Sequence, residues 1–572
     1  MARTVSIGAQ GFEALRTNSY FYIDKTDIVR DWWLSGDHVT LICRPRRFGK
    51  TLNLDTIRCF LSTAYAGRGE DLFGGLSVWD DAAMRTLQGT VPVVFLSFAA
   101  VKERDLEGAL YSMKYALAGA VRAHNYMLRS EALAEVDRDF FDQMRPEMSD
   151  EVAIGCLNKV CTLLEAHWGV KPVVLLDEYD TPMQEAWLGG YWDNMAAFQR
   201  SLFNATFKTN PSLGRALITG VTRVSRESIF SDLNNLAVIT TTTPAYQTAF
   251  GFTEDEVFAA LDEFDLADRR EQVKRLYDGF IFDGARDIYN PWSITNYLKY
   301  REPRAWWANT SGNGLVSSIV RTGDEELKQD FETLLRGGSV TKSVDEQVVF
   351  SDLSAKPDAA WALLLAGGYL RATSHHIDPE FPSETICELE LTNTEVRACF
   401  DTMVKGWFAD DSSSYDHFVR ALLADDVEGM NRELAEVLLS RMSSFDGARR
   451  TAESQPERFY HGLVLGLLAS LRRTHSVESN RESGYGRYDI ALVPKSPKDA
   501  TPAIIIEFKV FDPRHEQTLE DTVSRALAQI EDKAYAAALV ERGFSPERIR
   551  CPGMAFRGKE CLVGRSSCNP QP

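Results

Sequence analysis

Short apolar runs bounded by polar turns recur through the first 220 residues: VTLIC at 39–43, VVFLSF at 93–98, VVLL at 173–176 and RALITG at 215–220. Each is long enough for a strand, too short for a helix, and apolar at nearly every position, not at alternate ones. That pattern predicts parallel strands covered on both faces. Between them lie stretches of helical spacing, such as Leu52, Leu54, Ile57 and Phe60. Strand and helix in alternation predict an open α/β sheet.

After Asn235 the pattern changes. A Thr-rich strand is expected at 238–243, then a helix capped by Thr253 with acids in its first turn. Helical spacing continues through 258–276, residues 277–280 read as a turn, and Asn290-Pro291-Trp292 opens another helix. Trp306 and Trp307 begin an aromatic-polar loop that runs to 311. Polar breaks at 409–416 and 443–456 bracket a helical stretch at 417–442. The remainder reads as helix (462–471), strand (476–479), glycine turn (484–486), strand (488–493), strand (503–510) and helix (519–537). The expected division is 1–235, a sheet domain; 236–410, a helical or winged-helix lid and connector; 411–455, a helical linker; and 456–572, a second α/β domain.

Composition narrows the class. The 572 residues are 44% hydrophobic and 25% charged, which excludes disordered, collagenous and membrane-bundle chains. No apolar leader opens the sequence, and the nine cysteines are scattered without a CxxC pair. The expectation is a reduced, soluble, cytoplasmic chain with no membrane partner, a homo-oligomer being left open. A net charge of −19 repels polyanions, so any nucleic-acid contact must be local. Residues 471–572 carry 16 Lys and Arg against 14 Asp and Glu, which makes this the segment most tolerant of nucleic acid.

The chemistry of the first domain gathers after the 39–43 strand. Arg44-Pro45-Arg46-Arg47-Phe48-Gly49-Lys50-Thr51 has the GxxxxGK[ST] spacing of a phosphate-binding loop, with Arg44 at the first glycine position. Gly49 lets backbone approach phosphate, and the helix that follows directs N–H groups at the anion. Lys50 is expected to reach the β- and γ-phosphates, and Thr51 to place its hydroxyl on Mg²⁺. Arg46 and Arg47 add positive charge beside ATP. The 173–176 strand runs into Asp177 and Glu178, a metal-holding acid followed by one able to deprotonate water. Thr219 ends the next strand where a hydroxyl meets the γ-phosphate or its water, and Arg223 and Arg226 follow as further charges.

In the last domain Asp489 and Glu507 are expected near the ends of adjacent strands, with Lys509 two residues on and therefore on the same face as Glu507. Two carboxylates suit Mg²⁺ or Mn²⁺, and a lysine beside them can stabilise charge on a phosphate. That set hydrolyses phosphodiesters.

The runs YFYIDKTDIV, LICRPRRFGKTLNL, LLDEYDTPM, ALITGVTRVSRESIFSDLNNL and LYDGFIFDGARDIYNPWSITNYL resemble those of the AAA-ATPase-like proteins. These are bacterial ATPases with a C-terminal PD-(D/E)XK nuclease-like domain, and the likeness extends over nearly the whole chain. It implies nucleotide-site roles for Lys50, Thr51, Asp177 and Glu178. Asp489, Glu507 and Lys509 match the D…ExK signature of the nucleases. Glu457 resembles their first acid, with His461 one turn later, and Gln529 is placed like the helical glutamine of RecB-like members. Glu482 and Arg487 flank this site. The reading that results is an ATPase coupled to a metal-dependent nuclease acting on nucleic acid, DNA ahead of RNA. The alternative is a nucleotide-switched signalling or scaffold protein whose nuclease fold only binds.

Overall fold

The computed structural model describes residues 2–9, 11–131, 133–223, 229–230, 233–307, 325–335, 337–345, 359–379, 381, 385–400, 412–442, 460, 464, 467–468, 471, 474–479, 482–483, 486–487, 489–496, 501–532, 535–557 and 560–566. The chain forms two compact units, Met1–Cys399 and Phe400–Pro572.

The first unit is built on five parallel strands: β1 (Val39–Cys43), β2 (Val93–Ser97), β3 (Val173–Asp177), β4 (Arg215–Gly220) and β5 (Leu236–Ile239), in the order β2-β3-β4-β1-β5. Every residue of β1 and β3 is buried, as strands covered on both faces should be. One large core of Trp32, Phe48, Ile57, Phe60 and their neighbours packs across one side of this sheet. β4 lies between β1 and β3. The loop after β1 and the acid at the end of β3 are thus separated by one strand, whose Thr219 pairs with Ile42. Ligands of open α/β sheets bind outside the carboxyl ends of the strands, where all these residues lie.

Differences from the sequence reading appear next. The fifth strand of this sheet is residues 236–239, just past the boundary expected at 235, and the Thr-rich 240–243 stretch beyond it is turn. Residues 277–280 are not a turn. After the two-residue β6 (Phe252–Thr253), Asp278 begins β7 (Asp278–Phe282), which pairs with β8 (Ala285–Tyr289) with register shifts between Asp278 and Phe280 and between Phe280 and Phe282. Gly279, at φ +137, takes a conformation closed to other residues, and a turn reading of Tyr-Asp-Gly-Phe mistook this irregularity for a chain reversal. The helical stretch 258–276 is broken into Glu254–Glu263 and Arg270–Tyr277, with Asp265 left-handed between them. Thr253 caps the first as a capping box with Glu256. A three-stranded antiparallel sheet completes the unit: β9 (Val340–Val344), β10 (Leu370–Ile377) and β11 (Thr385–Leu391), ordered β10-β11-β9.

The second unit holds β12 (His475–Ser479), a hairpin of β13 (Glu482–Ser483) and β14 (Gly486–Arg487), then β15 (Ile490–Pro494), β16 (Ala503–Val510), β17 (Ile549–Arg557) and β18 (Glu560–Ser566). The main sheet is ordered β12-β15-β16-β17-β18, with only β16 and β17 parallel. Helices Ser412–Ala424 and Val427–Met442, read from sequence as a linker, share one apolar core with this sheet through Phe418, Leu434, Leu492, Ile504 and Phe556. Asn431 imitates a neighbouring strand: its amide nitrogen donates to Val563 O at 3.0 Å, and Val563 N donates to its oxygen at 2.8 Å. Edge strand β18 is thereby covered. The helix expected at 519–537 is two, Leu519–Asp532 and Tyr535–Glu541.

Among the described residues seven cysteines are free thiols, and Cys551 is disulfide-bonded, which the scattered spacing did not indicate. Among the described residues no helix is long and apolar enough to cross a membrane.

Candidate functional sites

The loop after β1 begins with an arginine where the spacing calls for glycine. Arg44 N continues the sheet by donating to Gly220 O, so this position needs no left-handed backbone. Its side chain turns behind the loop and is fully buried. The guanidinium donates to Cys43 O, Thr240 O and Ala245 O at 3.0, 2.7 and 3.1 Å and lies 4.6 Å over the Phe282 ring. Placed in the phosphate-binding loop by its spacing, Arg44 uses its side chain to brace the sheet against the next segment.

Further along the loop, the two left-handed positions are Arg47 at φ +68 and Gly49 at φ +81. Glycine adopts this freely, whereas an arginine held there costs about 1–2 kcal/mol. The side chains of Arg47 and Phe48 pack outward, over Trp292 and against Phe280 and Phe282. What they can offer an anion is backbone. Lys50 is buried, its ammonium donating to the carbonyls of Arg44 and Pro45, both at 3.0 Å. Thr51 and Thr219 converge on Asp177, their hydroxyls donating to Oδ2 and Oδ1 at 2.7 and 2.8 Å.

The acid pair is differentiated by its surroundings. Burial, followed by the charge of Glu178, raises the pKa of Asp177 above the usual carboxylate range. Burial acts in the same sense on half-buried Glu178, but Lys50, the Thr181 hydroxyl, Arg46 and Lys102 outweigh it and hold this acid ionised. Thr181 donates to Glu178 Oε2 at 3.0 Å, and Glu178 itself has φ +52. A buried carboxylate that binds two hydroxyls and resists ionisation suits a divalent cation; its ionised neighbour suits a base. Arg46 donates to Gln184 at 2.9 Å, and Gln184 donates at 3.0 Å to Asp180. The same oxygen of Asp180 accepts from Val221 N, Thr222 N and the Thr222 hydroxyl. A chain of hydrogen bonds thus links the loop to the end of β4. Arg223 lines a small cavity with Cys43, Thr240 and Ala362, and Arg226 lies outside the described residues.

In the second unit β15 and β16 are antiparallel with Ile490 opposite Ile506, which brings Asp489 opposite Glu507. Directly opposed residues share a face, and Lys509 shares it by the two-residue period. Asp489 Oδ2 accepts from Phe508 N at 2.9 Å, and Lys509 Nζ donates to Glu507 Oε1 at 2.9 Å. Glu507 is fully buried, and its Oε2 has no hydrogen-bond partner. Burial first, then the Asp489 charge, raises its pKa to about 7 against the opposing pull of Lys509. A carboxylate oxygen left bare inside the protein, beside a second acid, fits a hard cation. Gln529 donates to the Tyr535 hydroxyl at 3.2 Å, and the charges of Glu507 and Asp489 act on that hydroxyl. Glu457 and His461 lie outside the described residues, as do the side chains of Glu482 and Arg487. The tail arginines are engaged internally: Arg548 with Thr501 O, Arg550 with Leu423 O, Arg557 with Glu560 and Arg565 with Asp425.

Residues 6–230 match the family model described as predicted AAA-ATPase, and residues 455–566 match that of the PD-(D/E)XK nuclease superfamily. The chain joins an AAA-ATPase-like domain to a PD-(D/E)XK nuclease-superfamily domain. It is 25% identical over 581 residues to a protein of Azotobacter chroococcum mcd 1 described as "Uncharacterized protein in vnfD 5′ region", with 98% of each chain covered. The likeness therefore runs through both domains and the region between them.

In the AAA-ATPase-like domain, sequence reasoning passed over Asp180 and Gln184. The signal was a third acid in Asp177-Glu178-Tyr179-Asp180, whose burial only the fold reveals. In the nuclease-superfamily domain Gln529 meets Tyr535, six residues further along the chain.

Proposed function

We propose that the AAA-ATPase-like domain binds and hydrolyses ATP, and that this controls metal-dependent phosphodiester hydrolysis of nucleic acid, DNA ahead of RNA, at Asp489, Glu507 and Lys509. The observation that carries the reading is Glu507: a buried carboxylate with one oxygen on lysine and the other bare, opposite a second acid. A buried carboxylate oxygen without a hydrogen-bond partner, opposite a second acid, is a place for a hard cation.

Thr51 and Asp177 would hold Mg²⁺ at the nucleotide, and Asp489 and Glu507 would hold Mg²⁺ or Mn²⁺ at the nuclease site. When bound, such ions neutralise phosphate charge and act as Lewis acids. Lys50 leaves the carbonyls of Arg44 and Pro45 for the phosphate oxygens, exchanging dipoles for full charges. Arg46 adds charge while Gln184 restrains it. Glu178 orients water by accepting its hydrogen bond and takes its proton, a role its ionised state permits at neutral pH. Thr219 stays on Asp177 and keeps the acid aligned. In the nuclease site Lys509 stabilises charge growing on the phosphate, and Gln529 holds Tyr535 beside the carboxylates.

Phosphate release from ATP tests the first half. Glu178→Gln is expected to retain nucleotide and lose about 10²–10⁴-fold in turnover, the usual contribution of a positioned base. Lys50→Ala is expected to lose binding as well. Turnover in Glu178→Gln equal to the wild type contradicts the assignment.

A further inference from the structure

Loop residues 45–48 each meet a different part of the segment that follows the parallel sheet. The Pro45 ring lies against Gly368, where an added Cβ would fall 2.9 Å away. Arg46 O accepts from Asn290 Nδ2 and from Trp307 Nε1, both at 3.2 Å. The Arg47 guanidinium stands 4.5 Å over the Trp292 ring, and Phe48 sits edge-on to Phe280 and Phe282 at 4.7 and 5.5 Å. Asn290 does two things at once. Its oxygen accepts from Trp292 N at 2.9 Å and caps helix Pro291–Tyr300, while its nitrogen holds the loop.

A trans peptide is planar, so its N–H points opposite to its carbonyl. Two donors on Arg46 O therefore fix the direction of Arg47 N–H, one of the amides that an anion at this loop would meet. They also restrain the peptide that leads into the left-handed Arg47. We propose that Asn290 and Trp307 are positioning residues for nucleotide binding, so that ATP affinity is set in part by a region beyond the 6–230 segment that matches the ATPase model. The proposal rests on the reading of loop 44–51 as the ATP loop.

The test is titration of the full chain with mant-ATP and Mg²⁺, alongside thermal midpoints. Asn290→Asp keeps the capping oxygen and replaces the donor by an oxygen that faces the carbonyl. Its mant-ATP affinity is expected to fall about tenfold, the loss of a hydrogen bond made repulsive, together with a lower midpoint because Asn290 is buried. Trp307→Phe keeps the ring beside Phe280 and Tyr369 but removes the N–H. It is expected to weaken binding about threefold, in KM for ATP and not in kcat. Both variants binding as tightly as the wild type, while Lys50→Ala binds nothing, would overturn the proposal and leave the ATP reading standing. A wild type that binds no mant-ATP would overturn both. Should Asn290→Asp fail to fold, Trp307→Phe decides.

Discussion

Glu178 and Glu507 begin with the same side chain and end with opposite acidities, because what surrounds each differs in sign. Lys50, Arg46 and Lys102 surround Glu178, whereas Glu507 is sealed from water and faces Asp489 with Lys509 as its one opposing charge. The Glu507 carboxyl titrates at about 7 in the folded chain against an ordinary 4.5. Below the ordinary value both states are protonated. Between the two values the unfolded carboxyl ionises while the folded one does not. Stability of the second unit is therefore expected to fall as pH rises from about 4.5 to 7, by at most about 1.4 kcal/mol per pH unit, and to level off above. Denaturant midpoints across this range check it: Glu507→Gln should remove the slope, and a slope unchanged in that variant contradicts the environment described. Residue types and spacing made the acids and lysines legible in the sequence. The direction of the Arg44 side chain was not legible, because spacing places a residue along the chain and says nothing of which way its side chain turns. Nor could it show that Asp180 accepts four hydrogen bonds from residues 4 and about 40 positions away.

Among elements, the long apolar strands were the readable ones, since a strand buried on both faces announces itself by continuous Val, Leu and Ile. The β7–β8 hairpin was not, because its irregular register breaks alternation and its purpose is to receive Phe48. Gly251 marks how closely loop and hairpin approach. It has φ +83, and an added Cβ would stand 2.6 Å from Ile288 and 2.9 Å from the Phe48 ring. Gly251→Ala is expected to cost about 2–3 kcal/mol, from strain and overpacking together, and to weaken ATP binding. Urea midpoints and nucleotide titration check this; a variant as stable as the wild type would mean that loop and hairpin do not press together. The helices at 412–442 were read as linker because polar breaks isolate them in sequence. Their apolar faces belong to the core of the second unit, a pairing that local pattern cannot display.

For the whole molecule, two compact units imply two ligand-specific responses. In calorimetry, ATP with Mg²⁺ under Lys509→Ala is expected to raise only the transition of the first unit. Mn²⁺ under Lys50→Ala is expected to raise only that of the second. Each gain amounts to about 2.7 kcal/mol at a hundredfold excess over Kd. A Glu507→Gln chain that still gains from Mn²⁺ in the second transition would place the ion elsewhere. Acidic composition adds a constraint: with a net charge of −19, any nucleic acid would have to be drawn by the proposed metal site and its lysine against the general field. The most direct measurement is cleavage of end-labelled DNA, single-stranded, duplex and branched, with Mn²⁺ and ATP. The account predicts cleavage by the wild type, its loss in Lys509→Ala, and its reduction in Lys50→Ala. Intact ATP turnover with no cleavage of any DNA or RNA form would contradict it and leave a nucleotide-switched binder in its place.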